Sequence, residues 1–97
     1  MYARVIHVDV NADKMDAGIE GVEKALQDVI KKVQGFAGAF LLVERDAAKA
    51  IYMTLYESKE DADAVWKSGV TQDVISKLSE FMTGTPIVEG YEVAIKA

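Results

Sequence analysis

The sequence predicts an α+β domain in the order β-α-β-β-α-β, and three observations carry the prediction. Four stretches have strand length and composition: residues 2–10, the segment entered by Phe36, residues 50–57 and residues 87–95. Two stretches between them repeat apolar residues at intervals of three and four, as one face of a helix does. Arg45-Asp46-Ala47-Ala48-Lys49 is a short polar connection, so the strands on either side of it pair as an antiparallel hairpin. Under the right-handed crossover rule this order folds as a ferredoxin-like antiparallel sheet, with both helices on one face and the first and third strands central.

Each element has its own signal. Asn11-Ala12-Asp13 supplies short polar caps after the first strand. Met15, Ile19, Val22, Leu26, Val29 and Val33 then form one stripe of a helix over 14–34, ended by Gly35. Ser58 with Asp61 three residues on is a hydroxyl cap that starts the second helix, whose inner face is Ala62, Val65 and Trp66. Ser68-Gly69 interrupts that helix. Thr71 is expected to cap a further segment bearing Val74, Ile75, Leu78, Phe81 and Met82. Thr83-Gly84-Thr85-Pro86 stops it, and Glu89 and Glu92 mark the last strand as the more exposed one. Met15, Met53 and Met82 read as core filler.

The first three strands are apolar on both faces. Phe40 and Leu42 occupy one face of the second strand and Leu41 the other, while Thr54 is the one small polar residue between Ile51 and Tyr56. Two helices cover one side of a four-stranded sheet. The second side is expected to meet a copy of itself, giving a homodimer through the sheet.

Composition narrows the function class. Ninety-seven residues make a single domain, 1–97, of limited buried fraction, which self-association relieves. With no cysteine, disulfides and thiolate chemistry are excluded. A net charge of -5 with scattered basic residues argues against nucleic acid. No leader pattern is read at the N-terminus and no apolar run nears the roughly 18 residues of a membrane span, so a cytoplasmic protein with no membrane partner is expected. No metal and no cofactor is expected: Asp9, Asp13 and Asp16 flank a helix start, where acids belong, and Gly35-Phe36-Ala37-Gly38 precedes a strand rather than a phosphate-binding helix.

The run Gln34-Gly35-Phe36-Ala37-Gly38-Ala39-Phe40-Leu41-Leu42-Val43-Glu44-Arg45, followed by Tyr52-Met53-Thr54-Leu55-Tyr56-Glu57-Ser58-Lys59-Glu60-Asp61-Ala62, resembles the antibiotic-biosynthesis-monooxygenase-like family of the dimeric α+β barrel superfamily. The family's glycine turn, buried strand, hairpin and acidic helix start are all present. Gln34 stands where proline is usual, and Tyr56 where tryptophan is usual. The resemblance implies two sheets facing each other in a dimer, with a pocket in each subunit between its own sheet and helices. It also implies a choice among cofactor-independent oxygenases of polycyclic aromatic quinols, haem-degrading enzymes and proteins of other roles.

His7, the single histidine, shares a strand face with Ala3, Val5 and Asp9; it is a candidate general base, or else a core histidine held by a neighbour. Trp66, beside the Ser68-Gly69 break, can wall a flat aromatic ligand or serve as core. Tyr52 and Tyr56 share one face of the third strand and offer phenolic contacts to a substrate, or line the dimer core. The haem-degrading branch carries a haem-ligating histidine on the second helix, which this chain lacks. The first reading is therefore a monooxygenase acting with molecular oxygen on a small or polycyclic aromatic substrate. Its alternatives are a non-enzymatic dimeric module for an apolar or aromatic ligand and a haem-binding relative. No residue set in the sequence decides between enzyme and binding module.

Overall fold

The structure is a computed structural model describing all 97 residues. One antiparallel sheet has the strand order β2-β3-β1-β4, formed by β1 (Tyr2–Asp9), β2 (Phe36–Glu44), β3 (Lys49–Tyr56) and β4 (Ile87–Glu92). The first and third strands are central, as expected. The helices are α1 (Met15–Asp28), α2 (Lys59–Ser68) and α3 (Val70–Lys77). All three contribute to the layer covering one face, and the fold is the ferredoxin-like α+β arrangement anticipated from the element order.

Register sorts the strand residues. Ile6 lies opposite Tyr52 and Val88, His7 opposite Ile51 and Ile87, and Leu41 opposite Tyr52. Side chains alternate across a strand. Arg4, Ile6, Val8, Leu41, Ala50, Tyr52, Thr54 and Tyr56 therefore face the helices. Val5, His7, Phe40, Leu42, Ile51, Met53, Ile87, Glu89 and Tyr91 form the outer face. Met53 thus belongs to the outer face and not to the core under the helices.

The first helix departs from its predicted span. The Asn11 side chain accepts from the Asp13 backbone N–H at 3.1 Å and opens a single 3-10 turn before α1. At Val29 (φ -132°, ψ -56°) the helix breaks, and a second 3-10 turn over Ile30–Lys32 follows. Burial of Ile30 accounts for the swing: the 3.6-residue period would have put Val29 inward, and packing selects its neighbour.

The second helix is split where the sequence placed the break. Ser58 Oγ accepts from the Asp61 N–H at 3.1 Å, a cap whose loss typically costs about 1 kcal/mol. Gly69 sits at φ +83°, a left-handed conformation that costs glycine little and other residues more. That turn lets α3 begin at Val70. Thr71 is consequently no cap; it lies within the first turn of α3, buried against the sheet. The fourth strand stops at Glu92, short of the predicted residue 95, because its only partner β1 begins at Tyr2, directly across.

Packing under the helices divides between two ends. At one, Val10, Met15 and Ala50 pack with Val8, Ile19 and Leu41. At the other, Tyr56, Ala62 and Val65 pack with Tyr2, Val33 and Val70. Only twelve of 97 residues are buried, little cover for a chain that is 51% hydrophobic. The balance is visible on the outer face, where Phe40 is 52%, Leu42 53%, Ile87 62% and Tyr91 51% exposed. No helix is long and apolar enough to cross a membrane.

Candidate functional site

A cavity opens between the sheet and the helices at the Val10 end. Its floor is Ile6, Val8, Leu41, Ala50 and Tyr52, and its walls come from α1, α3 and the turn carrying Phe81 and Met82. Seventeen of its nineteen lining residues are hydrophobic. The void measures about 80 Å³, and the recess counted out to its open mouth about 760 Å³. An enclosed cavity of roughly 150 Å³ takes a benzene ring. A ring of that size therefore enters only as flexible lining such as Met82 moves, a role suited to methionine.

Polar atoms in this space are few. Tyr52 Oη is buried and has no hydrogen-bond partner. Burial holds its phenol above the ordinary value of 10.0; the neighbouring Thr54 hydroxyl opposes the shift without making a well-formed hydrogen bond, and Tyr56 adds to it. An orphaned buried hydroxyl is costly unless something meets it. Thr71 is the second polar lining residue. Two residues further along β3, Tyr56 is also raised, again chiefly by burial, with the Arg4 charge and the Thr54 and Thr71 hydroxyls pulling the other way. Tyr52 and Tyr56 thus share the inner face, and only Tyr52 reaches the cavity.

The other two sequence candidates lie elsewhere. His7 projects from the outer face, where its Nε2 is 2.7 Å from Glu89 Oε1; Tyr91 Oη donates to the other Glu89 oxygen at 2.8 Å. That hydrogen bond, ahead of desolvation, holds the Tyr91 phenol above its usual value. A trough of about 670 Å³ runs past this group, lined by His7, Asp9, Leu42, Lys49, Ile87 and Glu89 among others. The sheet separates His7 from the inner cavity, so His7 is no base for a molecule held there. Trp66 is half-buried on α2 and carries the Arg4 guanidinium 5.3 Å from its ring centroid, at the opposite end from the cavity. His7 and Trp66 therefore lie on opposite sides of the sheet and line no common space. Alternation tells which residues share a face, and nothing in β1 says which face the helices take, because both carry apolar residues.

Sequence reasoning missed Arg4, a charged residue in the inner row of a central strand. Its signal was available, since a lone charge between Ala3 and Val5 breaks the apolar run.

No protein-family model matches the chain. Two uncharacterized proteins of Mycobacterium tuberculosis, from strains CDC 1551 / Oshkosh and ATCC 25618 / H37Rv, are 29% identical over 94 residues, or 97% of this chain. The chain spans about two fifths of their length, 41%. Among solved structures, a candidate antibiotic biosynthesis monooxygenase from Bordetella bronchiseptica superposes with a TM-score of 0.80 at 14% identity, covering 97% of each chain. A monooxygenase from Streptomyces coelicolor in complex with nanaomycin D gives 0.79 at 18% identity, covering 99% of this chain and 91% of that one. A candidate antibiotic biosynthesis monooxygenase from Nitrosomonas europaea gives 0.77 at 18% identity, over 98% and 100% of the two chains. The fold is that of the antibiotic-biosynthesis-monooxygenase-like structures. At these identities the likeness is one of fold, and it covers the whole chain, as the resemblance of Gln34 through Ala62 implied. In this fold, Tyr52 is a polar side chain among the otherwise mostly apolar residues that line the inner cavity, with its hydroxyl buried.

Proposed function

We propose that the protein is a homodimeric monooxygenase whose substrate is an electron-rich aromatic bound in the inner cavity. The observation that carries this reading is Tyr52 Oη, buried and unpartnered in an otherwise apolar recess. A phenol kept protonated by burial donates one hydrogen bond to a substrate oxygen, most strongly where that oxygen becomes anionic. The substrate anion supplies the electron to molecular oxygen. In the overall change a ring CH2 and O2 give C=O and water, so one oxygen atom enters the product and the other leaves as water. The apolar walls keep bulk water from the intermediate. Nanaomycin D in the Streptomyces neighbour supports an aromatic occupant here as well.

The same reading places a second copy of the chain on the outer face. Four large apolar side chains there are more than half exposed, on both edge strands of one sheet face, and apolar side chains gathered on one face mark an interaction surface. The partner's sheet would cover it.

Oxygen uptake with an anthrone and with a quinol tests the oxygenase reading. Wild type and His7→Ala should consume oxygen alike, and Tyr52→Phe should fall by tenfold or more while folding normally. Saturable binding of the anthrone with no uptake by any variant would make the protein a binding module; loss in His7→Ala alone would move the chemistry to the outer face.

A further inference from the structure

One wall of the inner cavity is a single arm of the chain, residues 70–82, made of α3, the 3-10 turn Ser79–Phe81 and Met82. The arm leaves α2 at Gly69, whose φ of +83° turns the chain and where a Cβ would meet nothing within 4 Å. It rejoins the sheet at an isolated antiparallel bridge between Val10 and Met82. Two backbone hydrogen bonds close that bridge: Asn11 N–H donates to the Phe81 carbonyl at 2.9 Å, and Thr83 N–H to the Asp9 carbonyl at 3.0 Å. Between the two ends the arm has few polar ties. Thr71, next to Gly69, lies beside the Tyr56 hydroxyl. Gln72 Nε2 donates to the Trp66 carbonyl of α2 at 3.1 Å and Lys77 pairs with Asp73 in its own helix, but residues 72–80 make no hydrogen bond or ion pair to α1 or the sheet.

Apolar contact holds the middle of the arm. Leu78 and Phe81 lie directly against α1, where a Cβ at Gly21 would come 2.7 Å from Leu78 Cδ2 and one at Gly18 3.4 Å from Phe81 Cβ. With both seated there, the void is about 80 Å³, although the recess out to its mouth is about 760 Å³. A single ring needs roughly 150 Å³, so something must move before any aromatic enters. The floor is fixed, since Ile6, Leu41 and Tyr52 lie in the ladders of three adjacent strands. The arm is not, because apolar contact is non-directional and another apolar body can replace it.

We infer that Leu78 and Phe81 determine which ligand the inner cavity accepts: a ligand enters by displacing both as the arm turns about Gly69 and the Val10–Met82 bridge parts, and it stays bound with the arm displaced. Residues at the ends of elements are where such hinges form. Moving Leu78 and Phe81 off α1 exposes apolar surface, which only a ligand of comparable apolar area offsets. Flat aromatics of two or more fused rings are therefore preferred to single rings. The inference rests on the cavity being the binding site proposed above, and not on oxygen chemistry.

Calorimetric titration with 2-naphthol and phenol, which share one hydroxyl and differ by one fused ring, tests the selection. Wild type should bind 2-naphthol at least tenfold more tightly than phenol, and Leu78→Ala, which admits a single ring without displacement, should narrow that preference severalfold. Amide hydrogen exchange follows the bridge in the wild-type protein, which needs no variant to fold. Saturating 2-naphthol should speed exchange at Asn11 and Thr83 while slowing it in the β1–β3 ladder. A lock gives the third measurement: Val10 and Met82 form a non-hydrogen-bonded antiparallel pair, whose Cα atoms are typically about 4.5 Å apart, within the range a disulfide spans. The chain has no cysteine of its own, so Val10→Cys with Met82→Cys forms one defined bond. The oxidised protein should bind 2-naphthol at least tenfold more weakly than the same protein reduced. Equal affinity in the two, slower exchange at Asn11 and Thr83 with 2-naphthol bound, or an unchanged preference in folded Leu78→Ala would each overturn the inference and leave the cavity as the binding site. No binding of 2-naphthol by wild type would overturn both.

Discussion

Leu41 and Leu42 are neighbours in the chain and strangers in the fold. Leu41 packs with Val10, Met15 and Ala50 beneath the helices, whereas Leu42 stands more than half exposed on the outer face. The two faces of the sheet are nearly equal in hydrophobicity, so hydrophobicity alone does not tell a core from an interface. What distinguishes them is covering: the inner face is closed by this chain's own helices around an apolar cavity, and the outer face carries its apolar side chains uncovered beside His7, Glu89, Tyr91 and, at one end, Asp9, Glu44 and Lys49. The proposed dimer would give the second set a partner.

The sharpest way to break this comparison is to charge each face in turn. Leu41→Asp buries an unpaired carboxylate under the helices and should cost about 3 kcal/mol or more, read as a lower urea midpoint or outright loss of the folded state. Leu42→Asp should leave the folded chain intact by circular dichroism but weaken self-association about a hundredfold, which is roughly 2.7 kcal/mol. Equal damage from both would mean that the faces are not different in kind.

Smaller effects sharpen the account of the cavity. Tyr52→Phe removes a buried hydroxyl without a partner and should raise stability by about 1 kcal/mol, since such an orphan typically costs that much or more. Its pH dependence has a definite sign. Burial raises the Tyr52 phenol above 10.0, so the folded state holds this proton more tightly than the unfolded one. This proton therefore adds no pH dependence below the unfolded value, and the folded state loses stability as pH climbs above about 10. Tyr56 acts in the same direction. Thermal melts between pH 8 and 11 should therefore fall more gently for Tyr52→Phe than for wild type. Least of all, His7→Ala should alter the stability of the single folded chain by no more than about 0.5 kcal/mol, because its pair with Glu89 is partly exposed.

How much of this was legible in the sequence depends on whether the signal was local. Strand order, the hairpin, the Ser58 cap and the Gly69 break all follow from nearby residues, and all are present in the structure. Where packing chooses between two local options the sequence is silent. Ile30 displaces Val29 as the inward residue, and Thr71 is buried because Gly69 let α3 start one residue before it. The candidate site suffered most from this. Tyr52 and His7 were both visible as chemistry, yet their faces are set by which side the helices cover, a property of the whole sheet. Arg4 was overlooked for a related reason, since its stacking on Trp66 comes from a helix 62 residues further along the chain.

The two-faced sheet is tested most directly by sedimentation velocity of the wild-type chain across the micromolar range. The account predicts a species of twice the 10.6 kDa chain mass, dissociating for Leu42→Asp to a folded monomer. A wild-type chain that sediments as a stable, folded 10.6 kDa particle at micromolar concentration would contradict it, and the exposed face of Phe40, Leu42, Ile87 and Tyr91 would then require another occupant.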